Sequence, residues 1–266
     1  MTNLNQHNSA APVVLITGAA IRIGRCIALT MAQRGWRVAI HFNQSQQPAL
    51  ELAEEINQRG HGAQADVFQC DLSQEDQVKQ LIGKVVARFG TLQCVVNNAS
   101  SFEVDTVADF GLTLLDHHMH INLAAPVLLA QGLFEVTPDG EQASVINLLD
   151  QKLFNLNPDF FSYTLSKAAL QTATTTLAQA LAPKVRVVGV APGTTLASIH
   201  QDEDNFNKTH QLAALGRSST PQDLADAVLY LASANAVTGT ILAVDGGQHL
   251  VPLARDVMYL VNTPNT

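Results

Sequence analysis

A doubly wound α/β fold is predicted by three features of the 266-residue sequence. Short β-branched runs alternate with longer amphipathic stretches from Val13 onward, the runs are apolar on both faces, and a glycine-bearing turn stands where the first run meets the first helix. Strands that are apolar on both sides and separated by helices form a mostly parallel sheet covered on both faces. The expectation is therefore a single Rossmann-like domain over residues 12–248, with about seven strands and helices on either side.

Each element follows from its local pattern. "VVLIT" (13–17) is the first strand, and Arg22–Arg34 is a helix closed by Gly35. "RVAIHF" (37–42) is the second strand, followed by a helix over Pro48–Arg59 closed by Gly60. "AQADVFQC" (63–70), a helix over Glu75–Phe89 closed by Gly90, and "LQCVVNN" (92–98) continue the rhythm. A long helical stretch covers Thr113–Glu135, and "ASVINLL" (143–149) is a strand followed by a helix over Phe160–Leu181. "VRVVGVA" (185–191), a helix over Pro221–Ala232 and "TILAV" (240–244) complete the set. Between them, 192–215 reads as an irregular lid over a site.

Composition narrows the function classes. Hydrophobic residues make up 47% and charged residues 14% of the chain, the signature of a well-buried globule rather than a disordered protein. A net charge of −8 disfavours nucleic acid or an anionic membrane as partner, since both need a basic footprint. A small-molecule substrate is expected instead. Cys26, Cys70 and Cys94 stand far apart in apolar stretches without a CxxC, which points to reduced thiols and a cytoplasmic protein. Residues 1–11 are polar, with neither a basic region nor an apolar run, and read as a flexible tail rather than a signal or spanning segment.

The turn after the first strand is "TGAAIRIG" (17–24). Glycine at that junction lets the backbone approach a pyrophosphate, whose charge then meets a helix N-terminus. This turn resembles the TGxxxGxG of the short-chain dehydrogenase/reductases, with Arg22 in place of the middle glycine. "CDLS" around Asp71, "NNAS" (97–100), Asn122 in "INLAAP", YxxxK at Tyr163 and Lys167, "PG" (192–193) and "VDGG" (244–247) follow in the family's order. The resemblance implies a dinucleotide site built from Gly18, Arg22, Ile23 and Gly24, from Phe42, Asn43 and Ser45, and from Asp71 and Leu72. It further implies Asn98, Ala99 and Ser100, then Tyr163, Lys167, Pro192 and Gly193. An acid ending the second strand would bind the ribose 2′-hydroxyl and repel a 2′-phosphate. "HFNQS" (41–45) has none, so NADPH is expected over NADH, with Asn43, Gln44 and Ser45 as neutral donors.

The reacting end is read from "NLLDQKLFNLNPDFFSYTLSK" (147–167). Tyr163 and Lys167 stand one helical turn apart and share a face. In the family the tyrosine moves a proton, the lysine lowers the phenol's pKa and holds the nicotinamide ribose, and an asparagine, here Asn122, supports a proton path. Thirteen residues before the tyrosine most members carry serine, where this chain has Asp150. An ionised carboxylate only accepts hydrogen bonds and would oppose a developing alkoxide. Reduction of a C=N bond instead needs a proton at nitrogen, which an acid can relay through tyrosine.

Arg22, "NNASSF" (97–102) and Asp150 together resemble the pteridine reductases within that family. The resemblance implies that Phe102 stacks on a flat pterin, with Ser100 and Arg22 bonding its polar edge or the cofactor phosphates, and with Asp150 and Tyr163 beside the reacting bond. Ile21 and Gln44 depart from the lysine and arginine usual in that subgroup. The expected function is NADPH-dependent reduction of a dihydropterin or dihydrofolate. The alternatives are a carbonyl reductase of the 3-oxoacyl thioester or sugar type, and an inactive cofactor-binding regulator. His117, His118 and His120 do not share a helical face well, and no metal site is expected. The apolar extension 249–266 is expected at a subunit interface, the family commonly forming tetramers, with Arg255 bordering a neighbour's site.

Overall fold

The computed structural model describes residues 11–59, 64–197 and 203–260. Most of the expected tail 1–11, the helix stop at Gly60, part of the lid and the last six residues of the extension lie outside the described residues.

Seven strands, among the described residues, form one parallel sheet: β1 (Val13–Ile16), β2 (Arg37–Phe42), β3 (Ala65–Gln69), β4 (Cys94–Asn97), β5 (Ala143–Leu148), β6 (Val185–Pro192) and β7 (Ile241–Val244). Their order is β3-β2-β1-β4-β5-β6-β7, with every neighbouring pair parallel. Alternation along β1 divides the core. Val14 and Ile16 face a layer with Ile27, Met31, Leu52 and Leu224, while Val13 and Leu15 face one with Leu81, Val85, Leu129 and Leu133. Helices α1 (Arg22–Gln33), α2 (Gln46–Gln58) and α8 (Pro221–Ser233) cover the first face. Helices α3 (Glu75–Phe89), α5 (Ala125–Val136) and α6 (Phe161–Leu181) cover the second. The chain reverses its winding between β1 and β4, so a crevice opens at the carboxyl ends of these strands.

Glycine closes helices where expected: Gly35 follows α1 at φ +84° and Gly90 follows α3 at φ +83°, the left-handed region where a Cβ is penalised. Two expectations need correction. The helix over Thr113–Glu135 is interrupted: α4 (Leu112–Met119) and α5 are joined by a π turn at His120–Ala124, with Ala125 N–H bonded to the His120 carbonyl. Pro126 explains the break, because it has no N–H for the Asn122 carbonyl and its ring crowds that oxygen. The 192–215 stretch is not wholly irregular either, since α7 (Glu203–His210) lies within it. The 112–136 stretch is long and apolar enough to span a membrane, yet Ala125, Leu129, Ala130 and Leu133 are buried in the core.

The segment after β7 turns through Gly246 and Gly247, makes a short 3-10 turn at Gln248–Leu250 and ends in α9 (Val257–Leu260). Its described part packs on its own chain. Arg255 pairs with Asp159 of its own chain at 2.7 Å.

Candidate active site

The turn after β1 is held from two sides. Thr17 Oγ1 accepts N–H bonds from Asn98 and Ala99, both at 3.0 Å. The Asn98 amide donates back to the Thr17 and Gly18 carbonyls at 2.9 and 3.1 Å. From β2, His41 Nδ1 accepts the Gly18 N–H at 3.0 Å, which leaves the proton on Nε2 to be donated to the Cys70 carbonyl at 2.9 Å. Burial pushes this imidazole down to about 4, so it remains a neutral strut. A Cβ on Gly24 would stand 2.3 Å from the Gly18 carbonyl oxygen, so only glycine fits that close crossing.

This turn faces a cleft of about 570 Å³. Gly18, Arg22, Ile23 and Gly24 line it with Phe42, Asn43, Gln44 and Ser45 from the end of β2 and with Asp71 and Leu72 from beyond β3. Asn98, Ala99 and Ser100 complete it. Helix α1 opens with no side-chain cap and no acid in its first turn, so its amino-terminal N–H groups and dipole are left for an anion. The cleft thereby fits a dinucleotide: a glycine crossing for the pyrophosphate, a free helix end for its charge and neutral donors at the ribose. Arg22 sits at φ +55° where the cleft meets a second cavity, and its guanidinium donates to the Ala197 carbonyl at 2.9 Å.

The second cavity, about 330 Å³, holds the reactive groups Asp150, Tyr163 and Lys167, with Phe102, Pro192 and Gly193 also in its wall. Asp150 is delivered by the end of β5, and Tyr163 and Lys167 by the first turns of α6. The start of α6 is fixed by Asp105, whose carboxylate accepts the Ser162 N–H at 2.9 Å and the Ser162 hydroxyl. Tyr163 donates its hydroxyl to Asp150 Oδ2 at 2.8 Å, and Asp150 Oδ1 accepts the Lys152 N–H at 2.8 Å. Lys167 Nζ donates to the Leu148 carbonyl at 2.8 Å and lies 5.9 Å from the Tyr163 ring centroid.

Burial shifts each of these groups toward its neutral form. Burial raises the Asp150 carboxyl above its ordinary 3.8, outweighing the bonds from Lys152 and Tyr163. Burial, then the Asp150 charge and hydrogen bond, hold the Tyr163 phenol well above 10. Burial brings Lys167 down to about 8. The expectation that Lys167 draws the phenol toward neutrality is therefore corrected: desolvation and the facing carboxylate dominate, and Tyr163 is a neutral hydrogen-bond donor.

Asn122 is buried at the junction of α4 and α5. In the π turn its amide donates to the Ser101 carbonyl at 3.0 Å and Ser166 Oγ at 2.9 Å, and its oxygen accepts from Ser100 Oγ and Ser101 N–H. The side chain is fully engaged, and it ties the 100–101 loop to α6. Phe102, next in that loop, stacks on Phe160 at 4.4 Å and meets Tyr163 edge-on at 4.7 Å.

A family model described as enoyl-(acyl carrier protein) reductase matches residues 18–249. The chain belongs to the short-chain dehydrogenase/reductase family. Within this family of nicotinamide-dependent oxidoreductases, it is similar to the solved structure of FolM alternative dihydrofolate reductase 1 from Brucella canis, complexed with NADP. The two share 40% identity at a TM-score of 0.85, over 91% of this chain and 96% of that one. It is also 30% identical to the 3-oxoacyl-[acyl-carrier-protein] reductase FabG of Staphylococcus epidermidis, over 89% of this chain and 98% of the relative. An uncharacterized oxidoreductase, YmfI of Bacillus subtilis, matches at 30% identity over 88% and 98% of the two chains.

Several residues that shape this short-chain dehydrogenase/reductase site escaped the sequence reading. His41 sits inside a strand as any core residue would, and Asp105 meets Ser162 across 57 positions. Lys152 is 3% exposed and lines the second cavity, although a loop lysine ordinarily reads as solvated. Phe160 takes a left-handed conformation at φ +54° just before α6. Pro126 was the one visible signal, marking the π turn that presents Asn122. Among the described residues, no cluster of three or more histidine, cysteine, aspartate or glutamate side chains could hold a metal ion.

Proposed function

We propose that the chain is an NADPH-dependent reductase acting on a pterin-like C=N bond, such as that of a dihydropterin or dihydrofolate. The observation that carries this reading is the 2.8 Å hydrogen bond from Tyr163 to Asp150, in surroundings that favour the protonated form of both groups. Bound in the cleft, NADPH supplies the hydride. Tyr163 then gives its phenolic proton to the ring nitrogen as the adjacent carbon is reduced, and Asp150 returns a proton to the phenol from behind. One C–H and one N–H bond form for each hydride and each proton consumed. Lys167 and the Asn98–Ser100 loop hold the nicotinamide side, and Phe102 offers an aromatic face to a flat heterocycle. An aspartate in this place suits nitrogen protonation, whereas a ketone would need a donor facing its developing alkoxide.

Two solved structures of FolM alternative dihydrofolate reductase 1, both complexed with NADP and both 40% identical to this chain, support the same reading. The 3-oxoacyl reductases among the relatives support carbonyl reduction as the second reading, which Asp150 opposes. A panel of dihydropteridines, 3-oxoacyl thioesters and keto-sugars decides between them: turnover of ketones alone refutes the proposal. Single-turnover oxidation of NADPH tests the inactive alternative. For the cofactor, Asn43, Gln44 and Ser45 at the ribose end favour NADPH, and tighter binding of NADH would overturn that preference. The proposal extends to a homotetramer in the cytoplasm, with exposed Val107, Leu112 and Leu165 as its apolar contacts. A monomer in size-exclusion chromatography would remove the assembly.

A further inference from the structure

Lys152 follows Asp150 by two residues, and the C-terminal segment returns to the same place. A buried ammonium needs partners, and this one has three. Its Nζ donates to the Asp159 carbonyl, stands 3.4 Å from the Asp256 carboxylate and lies 5.2 Å from the Phe160 ring centroid. Those partners come from two separate segments of the chain. Asp159 and Phe160 lead into α6, whereas Asp256 and Val257 belong to the C-terminal segment and line the cavity directly. Phe160 carries the stack on Phe102 and also stacks on Tyr259 at 6.1 Å. A second clasp reinforces the first: the Asp159 carboxylate takes Arg255 through two guanidinium nitrogens and accepts the Asp256 N–H at 2.7 Å. Lys152 lines the substrate cavity and is not in the wall of the dinucleotide cleft.

We infer that Lys152 is a positioning residue for the substrate: through Asp159 and Asp256 it holds the Phe160–Phe102 platform and the C-terminal segment in place, closing the cavity beside Asp150. The clasp stands on the geometry alone; only the substrate class rests on the proposed reductase function. Removal of the charge releases the segment and loosens the platform, so substrate binding suffers while the cofactor site and the proton donors remain.

The test uses the full chain with Lys152→Met, which keeps length and loses charge, and Lys152→Arg, which keeps charge. Hydrogen exchange at the Asp256 and Tyr259 amides, bonded to Asp159 and to the Asp256 carbonyl, reads the clasp without substrate. Exchange there should quicken by roughly tenfold in Lys152→Met while the β5 and β6 amides keep their protection. The KM for the dihydropterin should rise by about tenfold, with kcat within about threefold and NADPH affinity unchanged, and Lys152→Arg should restore KM. Unchanged exchange, an unchanged KM, or an equal loss of NADPH affinity overturns the inference. Should Lys152→Met fail to fold, Asp256→Asn must show the same changes in smaller measure, and its failure to do so is equally decisive. A wild-type chain that turns over no dihydropterin refutes the reductase proposal, while the exchange experiment still judges the clasp.

Discussion

Replacing Asp150 by asparagine preserves the side chain's size and removes its exchangeable proton. In the native site Oδ1 accepts the Lys152 N–H and Oδ2 accepts the Tyr163 hydroxyl, each at 2.8 Å. The asparagine oxygen must keep the Lys152 N–H, so its NH2 faces the phenol and the phenol must accept rather than donate. Tyr163 then has its own proton turned to the cavity but no acid behind it. General acid catalysis is worth about 10²–10⁴ in rate, and because the first proton survives, the expected loss in kcat on a dihydropterin is about 10²–10³, or roughly 3–4 kcal/mol. NADPH binding should stay within a factor of about two, since Asp150 lies outside the dinucleotide cleft. Stability moves the other way. The folded pKa of Asp150 is raised by burial, so its contribution is full below the ordinary carboxylate pKa and is lost as pH rises through the folded value. An asparagine side chain never ionises, and the Asp150→Asn variant should melt higher than the native chain once the pH exceeds that folded value. The assay follows NADPH oxidation in single and multiple turnover with a dihydropterin and a 3-oxoacyl thioester, alongside melting curves across pH. An Asp150→Asn variant within threefold of the native kcat on the dihydropterin would refute the relay, as would Asp150→Ser losing carbonyl activity more than pterin reduction.

Other perturbations reach the remaining parts of the site. Tyr163→Phe removes the proton donor and should lower turnover by at least about 10³-fold, while a fluorescence titration shows NADPH binding nearly unchanged. Phe102→Ala removes an aromatic stack worth about 0.5–1.5 kcal/mol, so KM for a dihydropterin should rise roughly two- to tenfold with KM for a small ketone unmoved. Gly24→Ala places a Cβ 2.3 Å from the Gly18 carbonyl oxygen and 2.7 Å from Asn98 Nδ2, and should weaken NADPH binding by at least about tenfold in the same titration. Lys167 is lowered to about 8, so its ammonium is present below that pH and lost above it. Affinity for NADPH should accordingly fall as pH rises through about 8, and a flat profile between pH 7 and 9.5 would contradict a role for that charge.

The parallel sheet was legible because each of its strands is a short apolar run bounded by turn residues, and because glycines such as Gly35 and Gly90 mark helix ends by a backbone requirement that no other residue meets cheaply. The glycine crossing at Gly18 and Gly24 and the pairing of Tyr163 with Asp150 were legible for a similar reason, since each depends on spacing within a short stretch of chain. The π turn was not, because hydrophobic periodicity over 112–136 is too coarse to register one extra residue; Pro126 alone betrays it. Helix α7 was missed inside the lid because "EDNFNKTH" carries no apolar stripe. Contacts such as Lys152 to Asp256, 104 positions apart, leave no local pattern. Only the folded chain shows that a loop lysine and a C-terminal aspartate form one wall.

The protonation of Tyr163 links these observations. If Lys167 ionised the phenol, the tyrosine would stand ready to take a proton, as in oxidation of an alcohol. Its ammonium instead donates to the Leu148 carbonyl, and the nearest acceptor of the phenol is a carboxyl that burial itself inclines toward protonation. Burial keeps the proton on the phenol, where the proposed reduction can draw on it. In the proposed reduction the aspartate suits a nitrogen that ends the reaction neutral and hydrogen-bearing, which imposes no lasting negative charge beside it, whereas an alkoxide would. An Asp150 in rapid exchange with water at neutral pH, seen as an ordinary carboxylate titration in the cofactor-bound enzyme, would be incompatible with that pairing of the two acids.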